Sequence, residues 1–260
     1  MDRQFRRALE LLGIDPEAGV DQLEATQKVE AKLRWKLPAS VVELIRYPGV
    51  MAAIAKANDF NGDFPRSVSL ADGSYMPDVE GPVLWLLWEN QGVVVWGAPL
   101  DKGDNPPVLV GWGASDGMPT VEFAPTVGDF VHAMAFDGER IWGRRKEPPS
   151  EFTPPQILQA LAQPLDPVSL ATLRARYREV TTTHGWPCPN NYRFKGEGGT
   201  SLLLWACDRQ CDWYVGADRL ETLEREAKHL LELSNLKECF ESEDDDVQLI
   251  AARLRLESDH

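Results

Sequence analysis

Gly113-Ala114-Ser115-Asp116-Gly117 has the G-x-S-x-G spacing of a nucleophile elbow. An elbow needs a strand before the serine and a helix directly after it, which expose the hydroxyl and supply an oxyanion amide. Val108–Val110 can be the strand. The helix is missing, because Met118-Pro119-Thr120 follows and helical periodicity resumes only at Val127. Gly, Ser and Asp together also make an ordinary turn, which is the expectation here. A serine hydrolase on Ser115, with His132 or His184 as base, is the alternative from another function class.

Two patterns could hold metals. Asp59-Phe60-Asn61-Gly62-Asp63 imitates the start of a calcium loop, but Phe64 stands where the sharp turn needs Gly and Leu70 where the bidentate Glu belongs. His184, Cys188, Cys207 and Cys211 form a ligand set that tetrahedral zinc accepts, though not at the usual C-x₂₋₄-C spacing. Three readings of these cysteines stand side by side: buried free thiols, a cross-strand disulfide between Cys207 and Cys211, and zinc. Free thiols are the default, so no metal and no cofactor is expected. All four cysteines (the fourth is Cys239) lie in the last third, too few and too lopsided for a disulfide-stapled secreted domain.

Charge is the more informative signal. The chain has 260 residues and a formal net charge of −14. Residues 58–138 hold 12 acidic and 2 basic side chains, a net of −10. Such a surface repels phosphate backbones, which disfavours direct nucleic-acid binding and favours a basic protein partner. Loops on a rigid scaffold are where binding residues usually sit. The candidate partner-binding residues are Asp59, Asp63, Asp72, Asp78, Glu80, Asp101, Asp104 and Asp116. The competing reading is a solvated acidic face that only maintains solubility.

Several elements must position these loops. Phe5, Ala8, Leu9 and Leu12 mark a short helix that ends at Gly13. Asp21 opens a second helix with Ala25, Val29 and Leu33. Ser40-Val41-Val42-Glu43 has the form of a capping box for a third, with Val41, Leu44 and Ile45 inward. Residues 58–81 look like a long polar connection. Val83–Trp88 and Val93–Gly97 flank Glu89-Asn90-Gln91-Gly92 as a hairpin, and their continuous apolarity implies that both faces are covered. Trp85, Trp88 and Trp96 at strand spacing are expected to pack in a core rather than form a ligand cage. Val108–Val110 is a third strand, and Thr126 caps a helix with Val127, Phe130, Val131 and Met134 inward.

Residues 146–167 carry six prolines and are expected to be a linker, with a short helix beginning at Thr153-Pro154-Pro155-Gln156. Asp166-Pro167 starts a further helix. A second hairpin, Ser201–Ala206 and Cys211–Gly216, precedes helices at 218–233 and from Val247. The two hairpins look alike, Leu86-Leu87-Trp88 against Leu203-Leu204-Trp205, which raises the question of a degenerate duplication. The expected organisation is a domain over 1–145, a linker over 146–167 and a smaller α+β region over 168–260. Composition is that of a globular chain, at 43% hydrophobic and 26% charged residues. No run of about 18 apolar residues occurs and no apolar stretch follows Arg7, so a cytoplasmic protein is expected.

Leu37-Pro38 after an amphipathic helix, Trp88-Glu89-Asn90-Gln91-Gly92, Trp96, Asp104-Asn105-Pro106-Pro107-Val108 and the helix at Phe130 together resemble the SUKH superfamily, over about residues 20–136. Its members include bacterial immunity proteins, which neutralise toxins delivered between neighbouring cells, and fungal cell-wall regulators. The chain departs from the family at Arg46-Tyr47-Pro48-Gly49, where an Asn-Gly turn is usual. The resemblance implies an α+β fold, a mostly antiparallel sheet flanked by helices, and a binding role without catalytic residues. Glu89, Asn90 and Gln91 then stabilise a turn. Taken together, these readings predict a cytoplasmic binding module, most concretely an immunity protein that occludes a basic toxin such as a nuclease. A regulatory scaffold with two binding modules is the further alternative.

Overall fold

The computed structural model describes residues 1–62, 64–66, 68–71, 74–113, 118–142, 156–233, 241–242 and 245–258, leaving aside the side chains of 245, 246 and 255–258. The chain divides into two compact units, Met1–Gly138 and Glu139–His260. Among the described residues, each contains one five-stranded antiparallel sheet and helices, so the fold is α+β.

In the first unit, four helices precede the main strands: α1 (Arg3–Leu11), α2 (Leu23–Leu33), α3 (Ala39–Arg46) and α4 (Val50–Asn58). Asp2 caps α1 through its side chain, which accepts from the Gln4 and Phe5 amides. Strands β1 (Phe60–Asn61), β2 (Val83–Glu89), β3 (Val94–Pro99), β4 (Val108–Trp112) and β5 (Val121–Ala124) follow in an up-and-down meander, in that spatial order. Helix α5 (Val127–Phe136) is buried at every position but Asp129, as a helix apolar on nearly every side must be. It packs against α1, α3, α4 and β5. Trp96, Phe123 and Phe130 join sheet to helix by edge-on ring contacts of 5.8 and 6.0 Å.

The other face of this sheet is covered too. The connection between β1 and β2 crosses it, and Tyr75 and Met76 pack with Val83, Val95, Trp88 and Leu109. Gly111 makes the close approach possible, because a Cβ there would lie 2.2 Å from the Tyr75 carbonyl oxygen. This covering explains why β3 is buried along its whole length.

In the second unit, β6 (Gln156–Ala162) precedes α6 (Pro167–Arg176), then β7 (Arg178–His184), β8 (Asn190–Lys195), β9 (Ser201–Ala206) and β10 (Cys211–Ala217). The spatial order is β6-β10-β9-β8-β7. Helices α7 (Leu220–Leu233) and α8 (Asp245–Ser258) bury Leu223, Ala227, Leu230, Val247, Ile250 and Leu254 in a core with Leu204, Trp213 and Val215. Asp166 caps α6 through its side chain.

The structure corrects three local expectations. Residues 156–162, expected in a linker with a short helix, are an edge strand paired with β10 from Ala162↔Cys211 to Gln156↔Ala217. Sheet pairing overrides a weak helical period at that edge. The rest of that linker up to residue 155 lies outside the described residues. The capping box on α3 does not form either. Pro38 is the N-cap, and the Ser40 amide donates instead to the Asp104 carbonyl at 3.0 Å. The duplication suggested by the hairpins does not extend to strand order. Both hairpins are interior strand pairs, but the strand beyond β3 comes after it in sequence, while the strand beyond β10 comes long before it.

Candidate functional site

Antiparallel hairpins send successive connections to alternate ends of a sheet, and this separates the acidic loop residues. Val83 pairs with Pro99, so the approach to β2 and the exit from β3 share one end. Glu80, Asp101 and Asp104 gather there, all exposed. The Asp101 carboxylate lies against Gly81, where a Cβ would be 2.8 Å from Oδ2. Phe60 pairs with Glu89 and Val110 with Val121, which places Asp59 and Thr120 at the opposite end. Asp78 is held there by the Thr120 amide at 3.0 Å and by the Thr120 hydroxyl. The hydroxyl bond above all keeps the Asp78 carboxyl below its ordinary range. The expected acidic residues therefore do not form one face. Asp63, Asp72 and Asp116 lie outside the described residues.

The connection between β3 and β4, residues 100–107, is the better-positioned part. Pro106 is buried, Pro107 is half-buried, and the Asp104 carbonyl is tied to the first turn of α3. Leu37 and Pro38 set where α3 begins: the Leu37 amide donates to Glu30 at 3.0 Å, and Pro38 takes the extended N-cap conformation. Between α1, α3 and this connection lies a cavity of about 220 Å³. Phe5 and Ala39 give it an apolar part; Ser40, Glu43, Asp104 and Asn105 give it a polar one. Ser40 Oγ and Glu43 Oε2 are buried without a hydrogen-bond partner. These are the two side chains whose spacing predicts a capping box. That they do not pair is a feature the sequence does not signal.

The Glu89–Gly92 turn is built by local bonds. Glu89 accepts from the Gln91 amide at 2.8 Å and the Val93 amide at 3.5 Å. Asn61 donates to Asn90 at 2.8 Å, and the Gly92 carbonyl accepts from the Tyr75 hydroxyl at 3.0 Å. Gly92 has φ +70°, which favours glycine. Trp96 is buried between Phe60 and Phe123, while Trp88 is half-buried beside Trp85, with rings 6.4 Å apart.

The cysteines correct the default of free thiols and the Cys207–Cys211 pairing. Cys188 and Cys207 form a disulfide, and Cys211 is a buried free thiol. The register decides this. Ala206 pairs with both Cys211 and Asn190, so Cys207 runs past Cys211 and meets the connection between β7 and β8 instead. Burial, with the Asp212 charge, pushes the Cys211 thiol up to about 12, which makes it a poor nucleophile. Among the described residues, no group of three or more His, Cys, Asp or Glu side chains could hold a metal ion. His184 Nδ1 lies 3.0 Å from the Asn190 side-chain oxygen.

Ser115 lies outside the described residues, and His132 is buried on α5. No described helix is long and apolar enough to cross a membrane. Comparison with protein-family models, with curated proteins and with solved structures found no match to this chain.

Proposed function

We propose that this chain is a binding module for a basic protein partner, most concretely an immunity protein of the SUKH kind that occludes a basic toxin such as a nuclease. The observation that carries this reading is the end of the first sheet where Glu80, Asp101 and Asp104 stand exposed on connections that are themselves pinned, with Lys102 the one base in residues 80–104. Exposed like charges on a rigid frame accelerate encounter with an oppositely charged partner and add less to final affinity. Occlusion would then depend on a few apolar anchors.

The test is capture of a partner by the tagged full chain, followed by association kinetics of the Asp101→Lys, Asp104→Lys double variant. Slower association with a flatter salt dependence supports the reading, and unchanged kinetics removes this end from it. A scaffold with two binding modules is favoured by one observation, the division into two units that each have their own sheet. Protection from hydrogen exchange by the partner in both units would select it. Cytoplasmic action belongs to the first reading, and the Cys188–Cys207 disulfide counts against it, because such bonds are rare in reducing compartments.

A further inference from the structure

We infer that the Cys188–Cys207 bond is a redox latch: reduction by a thiol frees the β9–β10 turn from the β7–β8 connection and uncovers the Cys188 sulfur, while the sheet keeps its register. Cytoplasmic disulfides are characteristically transient and redox-sensing. The use of the latch therefore rests on the cytoplasmic part of the reading above; its chemistry does not.

Three observations converge. The first is where the bond lies. Strands β7 and β8 end their pairing at His184↔Asn190, and β8 and β9 end theirs at Asn190↔Ala206. Cys188 comes before that last pair and Cys207 after it. The bond therefore joins two connections at one end of the sheet and supports no hydrogen bond of the ladder. The second is that the two connections are held unequally. Asn191 Nδ2 donates to the carbonyls of Thr183, Trp186 and Cys188 at 3.4, 3.0 and 3.1 Å, and the Gly185 amide donates to the Pro189 carbonyl. The β7–β8 connection is thus anchored without the sulfur atoms. The turn over residues 207–210 is closed on itself by the Cys207 amide, which donates to the Gln210 carbonyl at 2.9 Å, and Asp208, Arg209 and Gln210 are exposed. The disulfide is its covalent tie to the anchored connection, so the turn is the part that moves when the tie opens. The third is access. Cys207 is half-buried and Cys188 only 2% exposed, which directs an attacking thiolate to the Cys207 sulfur.

The reductant is a dithiol. Its thiolate attacks Cys207 Sγ; the bond to Cys188 breaks, its electron pair stays on the Cys188 sulfur, and that sulfur takes up a proton. A mixed disulfide remains on Cys207. The second thiol of the reductant attacks its own sulfur there, releasing Cys207 as a thiol and the reductant as a cyclic disulfide. Cys211 takes no part, because it is buried and its thiol is pushed up to about 12, which leaves no thiolate to reshuffle the pair. Cys188 and Cys207 remain next to the paired Asn190 and Ala206, so a disulfide oxidant closes the bond again by the same steps reversed.

The experiment records amide NMR spectra of the full-length chain oxidised, reduced with dithiothreitol, and reoxidised with glutathione disulfide. The expected result on reduction is a shift of the amides at 185–188 and 206–211, with those of the ladder from Tyr192 to Lys195 and from Ser201 to Leu204 unmoved. The heteronuclear NOE over 207–210 should fall, Cys188 should become alkylated by iodoacetamide in the native protein, and reoxidation should restore the first spectrum. The Cys188→Ser, Cys207→Ser double variant should reproduce the reduced spectrum and ignore the reductant. Shifts or lost dispersion throughout the second sheet would make the bond a staple and overturn the inference. So would a bond that dithiothreitol opens only in denaturant, or a turn that stays as ordered after reduction as before. None of these outcomes involves a partner. Failure of the latch leaves the binding reading standing, and failure to capture a basic protein leaves the latch standing.

Discussion

The Tyr177 hydroxyl donates to Glu226 Oε2 at 2.9 Å, joining the end of α6 to the middle of α7 inside the second unit. Both groups are buried, at 4% and 5% exposure. Arg176 and Arg225 reach the same carboxylate at 3.4 and 3.0 Å. A carboxylate this buried needs its donors, because an unpaired buried charge is far more costly than a neutral group. Tyr177→Phe removes one donor and keeps the ring. Hydrogen bonds to charged groups contribute about 1.5–3 kcal/mol, so the variant should lose stability in that range. Urea denaturation against the parent chain checks it, and an unchanged midpoint would show that the two arginines suffice.

The same pair sets opposite pH limits. Burial raises the Glu226 carboxyl, but the bonds from Tyr177, Arg225 and Arg176 outweigh it and leave the group below its ordinary 4.5. The unfolded chain therefore binds this proton more readily. The contribution is present above about pH 4.5 and is lost as pH falls through the folded value. Burial above all, then the Glu226 bond and charge, pushes Tyr177 from 10.0 up to about 12. Here the folded chain keeps a proton that the unfolded chain releases, so stability falls as pH rises from about 10 to about 12. Cys211 acts in the same direction, from 9.0 toward about 12. Stability measured against pH should decline on both flanks, and Tyr177→Phe should make the alkaline decline shallower. An identical alkaline flank in the variant would remove Tyr177 from the account.

The close packing over the first sheet predicts a sharp cost at Gly111. A Cβ there meets the Tyr75 carbonyl oxygen at 2.2 Å and Met76 Cγ at 2.6 Å. Backbone cannot yield as a side-chain tip can, so Gly111→Ala must lift the connection between β1 and β2 from the sheet. Overpacking costs about 1–3 kcal/mol, concentrated in that covering segment. Faster hydrogen exchange at Val94–Trp96 and at Ala71, whose amide donates to Val83, is the expected readout. Gly103→Ala is the control. It has φ +86° but nothing within 4 Å, so its strain stays local to an exposed loop.

Much of this architecture was legible from period and punctuation, and the losses have physical causes. The two hairpins, α1, α5, α6 and α8 announce themselves by apolar runs or by Asp and Thr caps that the structure uses. Helix α4 lacks a side-chain cap and starts after Gly49, so the spacing of Val50, Met51, Ile54 and Ala55 passed without a start signal. Strands β7 and β8 are rich in Thr, Asn and Arg because Thr183, Asn191 and Arg193 are buried polar residues that bond one another and the nearby backbone. Polar burial of this kind erases the alternation that marks a strand. The cavity was illegible for a related reason. Ser40 and Glu43 have the spacing of a reciprocal cap, but the Ser40 amide bonds the Asp104 carbonyl and neither Ser40 Oγ nor Glu43 Oε2 has a hydrogen-bond partner.

The disulfide gives the last prediction. Cys188 and Cys207 are 19 residues apart in sequence, and their Cα atoms lie 4.9 Å apart. Closing a loop of that size restricts the unfolded chain by about 3 kcal/mol in the chain-entropy account. The bond ties the connection between β7 and β8 to the turn after β9, where pairing of Asn190 with Ala206 already brings the two strands together. Cys207→Ser should therefore lower the unfolding temperature of the full chain while leaving the β9–β10 pairing in place, since that ladder runs from Cys211↔Ala206 to Gly216↔Ser201 without help from the sulfur atoms. Peptide mapping without reduction, on protein alkylated inside intact cells, should recover the 188–207 cross-link. Recovery of both as alkylated thiols would place the working protein in a reducing compartment with this bond open, and would then strengthen the cytoplasmic reading that the disulfide now opposes.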